Sequence, residues 1–177
     1  MKAAFALTLI LPFLSPEKSA DSWLTFTSNP SRLKFEMPQH PVEQQMQSGA
    51  DTEVRTFVCQ KDEIVFEAVA MELSSELKMA LGEATLDTEE SVSRQVINGI
   101  LEDTLQELET KATKNEYTRI QKLPCRITLA KIAPGREAKL LSVIAKNHAY
   151  LFIVSYPSRP ESDKQVSRFL ESIRFQG

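Results

Sequence analysis

Glycine is scarce in this chain of 177 residues, and its placement excludes the common nucleotide-binding loops. The glycines stand at positions 49, 82, 99, 135 and 177. A phosphate-binding loop and a dinucleotide fingerprint both need closely spaced glycines, so that the backbone can approach the phosphates. The sequence therefore predicts no nucleotide cofactor.

Histidine is also scarce, which argues against a histidine-based metal site. His40 stands beside prolines, and His148 falls in a predicted hairpin turn. Neither has Asp, Glu or Cys partners at a spacing typical of metal ligands. We interpret both histidines as surface residues and predict no metal or cofactor site.

Catalytic motifs are absent apart from one short pattern. Ser75 and Lys78 match the S-x-x-K motif of penicillin-binding enzymes, but the companion S-D-N and K-T-G motifs are missing. The same pattern recurs at Ser15 and Lys18. Because it arises twice in one chain by chance, we predict no catalytic residue and no enzyme.

The only two cysteines are Cys59 and Cys125. They can pair if the protein enters an oxidising compartment, or they can be buried thiols. The sequence leaves both possibilities open, because a disulfide requires Cα atoms within about 7 Å of each other.

A long apolar run occurs only at the start of the chain. Residues 3–14 carry no charge and follow Lys2. This run is shorter than the ~20 residues that cross a bilayer as a helix, but it has the length of the apolar part of a secretory signal peptide. We predict a signal peptide at residues 1–20, a mature domain at residues 21–177 without a transmembrane helix, and export to the periplasm or the cell exterior. An N-terminal helix buried in the domain is the alternative.

Charge is distributed unevenly along the chain. Residues 1–110 hold 8 Lys and Arg against 19 Asp and Glu, whereas residues 111–177 hold 13 against 5. Such a split can mark a basic surface for an acidic partner, or the two halves can offset each other across one domain. We favour the second interpretation, because the basic residues are spread singly. The same spread argues against binding to nucleic acid.

Hydrophobic patterning predicts eight strands and two helices. Strands are expected at 23–28, 32–37, 53–60, 63–73, 117–123, 126–132, 139–146 and 149–156. Turns are expected at Lys61-Asp62, Pro124-Cys125 and Asn147-His148, residues 43–50 are expected to be a polar loop, and residues 74–86 a loop with one helical turn.

Two segments have the three- and four-residue apolar spacing of an amphipathic helix. Their apolar residues are Val96, Ile100 and Leu105 in the first, and Val166, Phe169, Leu170 and Ile173 in the second. Capping boxes are predicted at Asp87 with Glu90 and at Ser162 with Gln165. We expect the two helices to cover opposite faces of the sheet.

The predicted architecture depends mainly on the strand at residues 149–156. This strand is apolar on both sets of alternating positions, so it must be covered on both faces. We therefore predict an α+β fold, with a largely antiparallel sheet of about seven or eight strands, residues 149–156 at its centre, and amphipathic helices on both faces.

The order of these elements resembles the PsbP-like superfamily, which is named for an extrinsic protein of photosystem II. The resemblance covers most of residues 23–175. It rests on the aromatic strand pair at Phe26 and 33–35, the break at Pro38, the long middle helix, the strand at 149–154 and the closing helix at 168–175. It implies a single PsbP-like domain. It implies little about activity, because the relatives include a photosystem subunit, a cofactor of a nuclear-transport GTPase, bacterial envelope proteins and secretion chaperones.

These observations favour an exported, non-catalytic binding or accessory protein whose partner is a protein, a peptide or a lipid. A hydrolase with an unrecognised site around Ser75 and Lys78 is one alternative. A cytoplasmic secretion chaperone is another, and it requires that the N-terminus is not cleaved.

Overall fold

The fold is built on a seven-stranded antiparallel sheet. The computed structural model describes residues 23–48, 52–82 and 86–176, so the predicted signal peptide lies outside the described residues. The strands of the large sheet follow the spatial order β3-β4-β5-β9-β8-β7-β6. They are β3 (Val42–Ser48), β4 (Thr52–Lys61), β5 (Ile64–Glu72), β6 (Ala112–Ile120), β7 (Leu123–Ala133), β8 (Arg136–Ala145) and β9 (His148–Pro157).

Strand β9 lies at the centre of this sheet, with three strands on each side. Its residues from Ala149 to Val154 are all buried. The prediction of a central strand covered on both faces is therefore confirmed. The sheet divides there into β3–β5, from the first half of the chain, and β6–β8, from the second.

A small sheet and one helix cover the first face of the large sheet. Strands β1 (Leu24–Ser28), β2 (Leu33–Met37) and β10 (Arg174–Phe175) form the small sheet, and helix α3 (Pro160–Ser172) packs beside it. The aromatic rings of Phe35, Phe66, Phe152 and Phe169 meet in this core. The predicted apolar face of the last helix, from Val166 to Ile173, is buried here.

The other face of the large sheet is covered by α1 (Ser75–Gly82) and α2 (Leu86–Glu107). Helix α2 lies over β7 and β8, and Ile97, Ile100, Leu101 and Leu105 are its buried residues in this second core. The two amphipathic helices thus pack on opposite faces of the sheet, as the sequence predicts.

Five predicted connections differ from the structure. The turns predicted at Lys61-Asp62 and Asn147-His148 are each displaced by one residue, and they lie at residues 62–63 and 146–147. Residues 43–50 are largely strand β3 rather than a loop, and residues 74–86 contain the eight-residue helix α1. The hairpin between β6 and β7 turns at Gln121 and Lys122, which both adopt positive φ, while Pro124 and Cys125 lie inside β7. Positive φ at both central residues, Gln121 and Lys122, is typical of a two-residue hairpin turn, although glycine or asparagine is more usual there.

The predicted caps also differ or lie outside the described part of the chain. Helix α3 begins at Pro160 after Arg159, which makes no side-chain capping bond, so the predicted capping box of Ser162 with Gln165 is wrong. Proline at the first helical position lacks the N–H that a cap would satisfy, and its fixed φ suits the helix. The side chains of Asp87 and Glu90 lie outside the described residues.

Candidate functional site

Ser75 and Lys78 do not form a nucleophile and base in this structure. Ser75 is exposed at the first residue of α1. The Nζ atom of Lys78 binds the Oε1 atom of Glu72 at 2.5 Å, and this hydrogen bond lowers the pKa of the Glu72 carboxyl. The Nζ atom of Lys78 is thus engaged by a carboxylate rather than by Ser75. The arrangement therefore does not favour activation of Ser75.

The two histidines lie in different environments. His40 is exposed. His148 is half-buried at the first residue of β9, because the preceding turn lies at Lys146 and Asn147. Its Nδ1 atom is buried without a hydrogen-bond partner, its ring stacks on Tyr150 at 5.8 Å, and burial lowers its pKa. The interpretation of His148 as a surface residue is therefore wrong.

The two cysteines are free thiols and both are buried. Cys59 lies on β4 and Cys125 on β7, with β5, β9 and β8 between these strands. Four strand spacings amount to about 19 Å, well beyond the reach of a disulfide. Of the two possibilities that the sequence leaves open, the structure selects buried thiols.

The described residues contain no group of three or more His, Cys, Asp or Glu side chains that could hold a metal ion. A small apolar recess lies between α2 and the strands β5 and β9, lined by residues that include Val69, Met71, Ile100 and Thr104. Its cavity volume of about 20 Å³ is room for about one water molecule. The recess is too small for an organic ligand.

One carboxylate lies on the sheet face beneath α2. Glu67 stands on β5 between Val58 of β4 and Ile153 of β9. Burial and, to a smaller extent, the charge of Glu107 at the end of α2 raise its pKa to about 7. The described residues contain no cluster of metal ligands around this group.

The uneven charge along the sequence becomes an uneven charge across the sheet. Strands β3–β5 carry two Lys or Arg against four Glu, whereas β6–β8 carry six against two. Two ion pairs join the halves of the chain, Arg159 with Glu63 and Arg168 with Glu36. Both of these pairs lie away from β6, and strands β6–β8 hold the larger share of the basic residues of the sheet.

Strand β6 forms the outer edge of the basic side. It pairs with β7 alone among the described strands, and all nine of its residues are exposed or half-exposed. An edge strand of this kind has backbone N–H and C=O groups that point away from the sheet and can pair with another strand. Strand β6 is the candidate binding site.

A cluster of polar side chains lies on the α2 side of β6, and we call it the arginine–tyrosine cluster. Its members are Arg94 and Asn98 from α2, Asn115 and Tyr117 from β6, and Arg126 and Thr128 from β7. The guanidinium groups of Arg94 and Arg126 lie 5.2 and 5.6 Å from the centre of the Tyr117 ring. The Tyr117 hydroxyl donates to Asn98 Oδ1 at 2.8 Å.

Arg126 is fixed in this cluster by neutral acceptors. Its Nη1 atom donates to Asn98 Oδ1 at 2.8 Å, and its Nη2 atom donates to Asn115 Oδ1 at 2.9 Å. Asn115 Oδ1 also accepts from the Thr128 hydroxyl at 2.8 Å. The two asparagines orient the guanidinium, and no carboxylate is among its described partners. Because these acceptors are neutral, the positive charge of Arg126 remains available to a ligand.

The sequence by itself does not reveal this site. The cluster residues come from three elements, and no short motif contains them. Asn115 and Tyr117 are two positions apart, which places them on one side of a strand. The predicted strand began only at Tyr117, so this alternation went unrecognised.

No helix in the described ranges has both the length and the apolar composition needed to cross a membrane.

No protein-family profile and no curated protein sequence matches the chain. Among solved structures, the chain is similar to cyanobacterial PsbP (CyanoP) from Synechocystis sp. PCC 6803, with a TM-score of 0.60 and 10% sequence identity. That match covers 92% of this chain and 97% of the other. A looser match is to PA94 from Pseudomonas aeruginosa, a protein of unknown function, with a TM-score of 0.38, 9% identity, and coverage of 82% of this chain and 94% of that chain; a score this low does not establish a shared fold. The resemblance found in the sequence is therefore confirmed at the level of structure, and the chain has a PsbP-like fold.

Proposed function

We propose that this protein is an exported, non-catalytic accessory protein that binds a polypeptide partner along strand β6. The observation that carries the proposal is the free outer edge of β6, a nine-residue strand that pairs with β7 on one side and is exposed along its length. A partner segment in extended conformation can add to such an edge as a further strand through main-chain hydrogen bonds.

The side chains of β6 support this proposal. The arginine–tyrosine cluster holds Tyr117 in place beside the strand, with 48% of this residue still exposed. Tyrosine and arginine are enriched where proteins bind one another, because they offer a large contact area together with hydrogen bonds. The opposite edge strand, β3, has no comparable cluster among the described residues.

Export is the second part of the proposal and rests on the uncharged run at residues 3–14. A partner would then be met in the periplasm or outside the cell. The PsbP-like fold is compatible with this role, but a fold by itself does not specify a function.

Site-specific crosslinking in the native cell tests the binding site. A photo-reactive residue at Thr118 of β6 should give one dominant polypeptide adduct, because Thr118 is exposed beside the free edge. The matched control is Gln45, an exposed residue of the opposite edge strand β3. Failure to form an adduct at Thr118, or a stronger adduct at Gln45, would contradict the proposal.

A further inference from the structure

We infer that the segment bound by β6 is acidic, and that one of its carboxylates binds Arg126 within the arginine–tyrosine cluster. This inference rests on the proposed function and adds the chemistry of the partner. Three observations support it: the charge around β6, the unused donors of Arg126 and the geometry of the cluster.

Strands β6 and β7 carry an excess of positive charge. Residues 111–133, which include β6 and β7, contain six Lys or Arg and one Glu. Strand β6 itself carries Lys114 and Arg119 against one carboxylate, Glu116, so a second copy of β6 would add to the excess of positive charge. The same charges attract an acidic segment, so they select against self-pairing and in favour of an acidic partner.

Arg126 still has donors to offer. Its Nη1 and Nη2 atoms each use one hydrogen in bonds to Asn98 and Asn115. The second hydrogen on each of these nitrogens has no acceptor among the described residues. A carboxylate oxygen can accept from each of these hydrogens, and such charge-assisted hydrogen bonds are among the strongest that an arginine makes.

The cluster also holds Arg126 ready for a ligand. The two asparagine oxygens fix the plane of the guanidinium, and the ring of Tyr117 supports it from the side. An arginine held in this way loses little conformational freedom when it binds. Arg126 pairs with Tyr117 across the two strands, so an added strand would lie two strand spacings, about 10 Å, from the backbone of Arg126. The long side chains of Arg126 and of a glutamate on the added strand can together bridge that distance.

Two synthetic peptides test the inference on the wild-type protein. One is a ten-residue peptide of alternating Thr and Glu, and the other has Gln in place of every Glu. Titration by fluorescence anisotropy should show at least a tenfold tighter Kd for the Glu peptide, and the difference should shrink in 0.5 M NaCl because salt screens exposed charges. Equal affinity for the two peptides, or no binding of the Glu peptide, would overturn the inference.

Variants then locate the carboxylate. Arg126→Gln should abolish the preference for the Glu peptide, and Arg126→Lys should restore only a small part of it, because an ammonium group cannot make the paired contact. Lys146→Gln removes the same charge from an exposed turn outside the cluster and should change the Kd less than twofold. If Arg126→Gln and Lys146→Gln reduce the preference equally, the carboxylate does not bind at Arg126.

The Tyr117→Ala variant tests the cluster independently of whether the Arg126 variants fold. It keeps the charge of Arg126 and removes the ring that contacts its guanidinium. It should weaken binding of the Glu peptide by several fold and reduce the preference without abolishing it; an unchanged Kd would argue against the cluster.

Failure of the inference is distinguishable from failure of the proposed function. An adduct at Thr118 together with equal peptide affinities leaves β6 as a binding edge but removes its acidic specificity.

Discussion

The rings of Phe66 and Phe169 meet nearly edge to face, with centroids 5.4 Å apart and planes inclined by 68°. Phe66 belongs to the large sheet and Phe169 to α3, so this contact joins the C-terminal helix to the middle of the sheet. Neither residue is exposed to solvent. Phe169 also contacts Phe35 of the small sheet and Phe152 of β9. Through this one side chain, α3 packs against both the large sheet and the small sheet.

The variant Phe169→Ala should therefore lower the free energy of unfolding by roughly 3–5 kcal/mol, because it leaves a cavity in a fully packed core. Urea titration followed by circular dichroism measures this change. Met79→Ala is a suitable control, since Met79 is 59% exposed and its loss should cost less than about 0.5 kcal/mol. A loss below about 1 kcal/mol for Phe169→Ala would mean that α3 contributes little to the core.

The second prediction concerns Glu67 and pH. Its pKa is about 7 in the folded protein, against an ordinary value of 4.5. The folded state therefore retains a proton that the unfolded state has lost, and stability should fall as the pH rises from about 4.5 to 7. The loss amounts to about 3 kcal/mol at most.

The variant Glu67→Gln isolates this effect. Its stability should lack the loss attributed to Glu67, so the difference between variant and wild type should grow through that pH range. Glu107→Gln should reduce the loss only in part, because burial is the larger cause of the raised pKa. Parallel pH profiles for the wild type and Glu67→Gln, measured by urea titration, would disprove the prediction.

The third prediction concerns the thiols. Burial raises the pKa values of Cys59 and Cys125 to about 11, so almost no reactive thiolate is present at pH 8. In the folded protein both cysteines should react with a thiol reagent far more slowly than a free cysteine does. In denaturant both should react at once. If denatured, unreduced protein has no reactive thiol, the cysteines are paired after all.

The fourth prediction concerns processing of the N-terminus. Protein isolated from its own cell should begin near Asp21, because the uncharged run at residues 3–14 is followed by a polar stretch that ends at Ala20. N-terminal sequencing and intact mass determine the first residue. Soluble cytosolic protein that still begins at Met1 or Lys2 would contradict export and would favour the cytoplasmic chaperone.

The core of the fold could be predicted from the sequence because its signals are local. The apolar spacing from Val166 to Ile173 identifies the buried face of one helix. Residues 149–156 are apolar at both sets of alternating positions, which identifies one strand that is buried on both faces. Strand β3 was missed for the opposite reason. Gln44 and Gln45 are polar, and the strand forms because it pairs with β4, which lies outside any local window.

The binding site depended even more on tertiary structure. Asn98 and Arg126 are 28 residues apart, yet their side chains are joined by a 2.8 Å hydrogen bond. Nothing in the sequence around either residue indicates this contact. The basic character of residues 111–177 is visible in the sequence, but its place on one side of the sheet, in β6–β8, follows from the strand order, which the charge pattern alone does not determine.

The position of β9 affects how the chain can be made. The strand is central in space but almost last in sequence, at residues 148–157 of 177. Until it is synthesised, β5 and β8 have no common neighbour and the large sheet remains as two separate hairpin units, each with an apolar open edge. Such edges pair readily with other chains. A chain truncated before residue 148 should therefore aggregate rather than form a smaller domain, and the large sheet can be completed only after almost the whole chain has been synthesised.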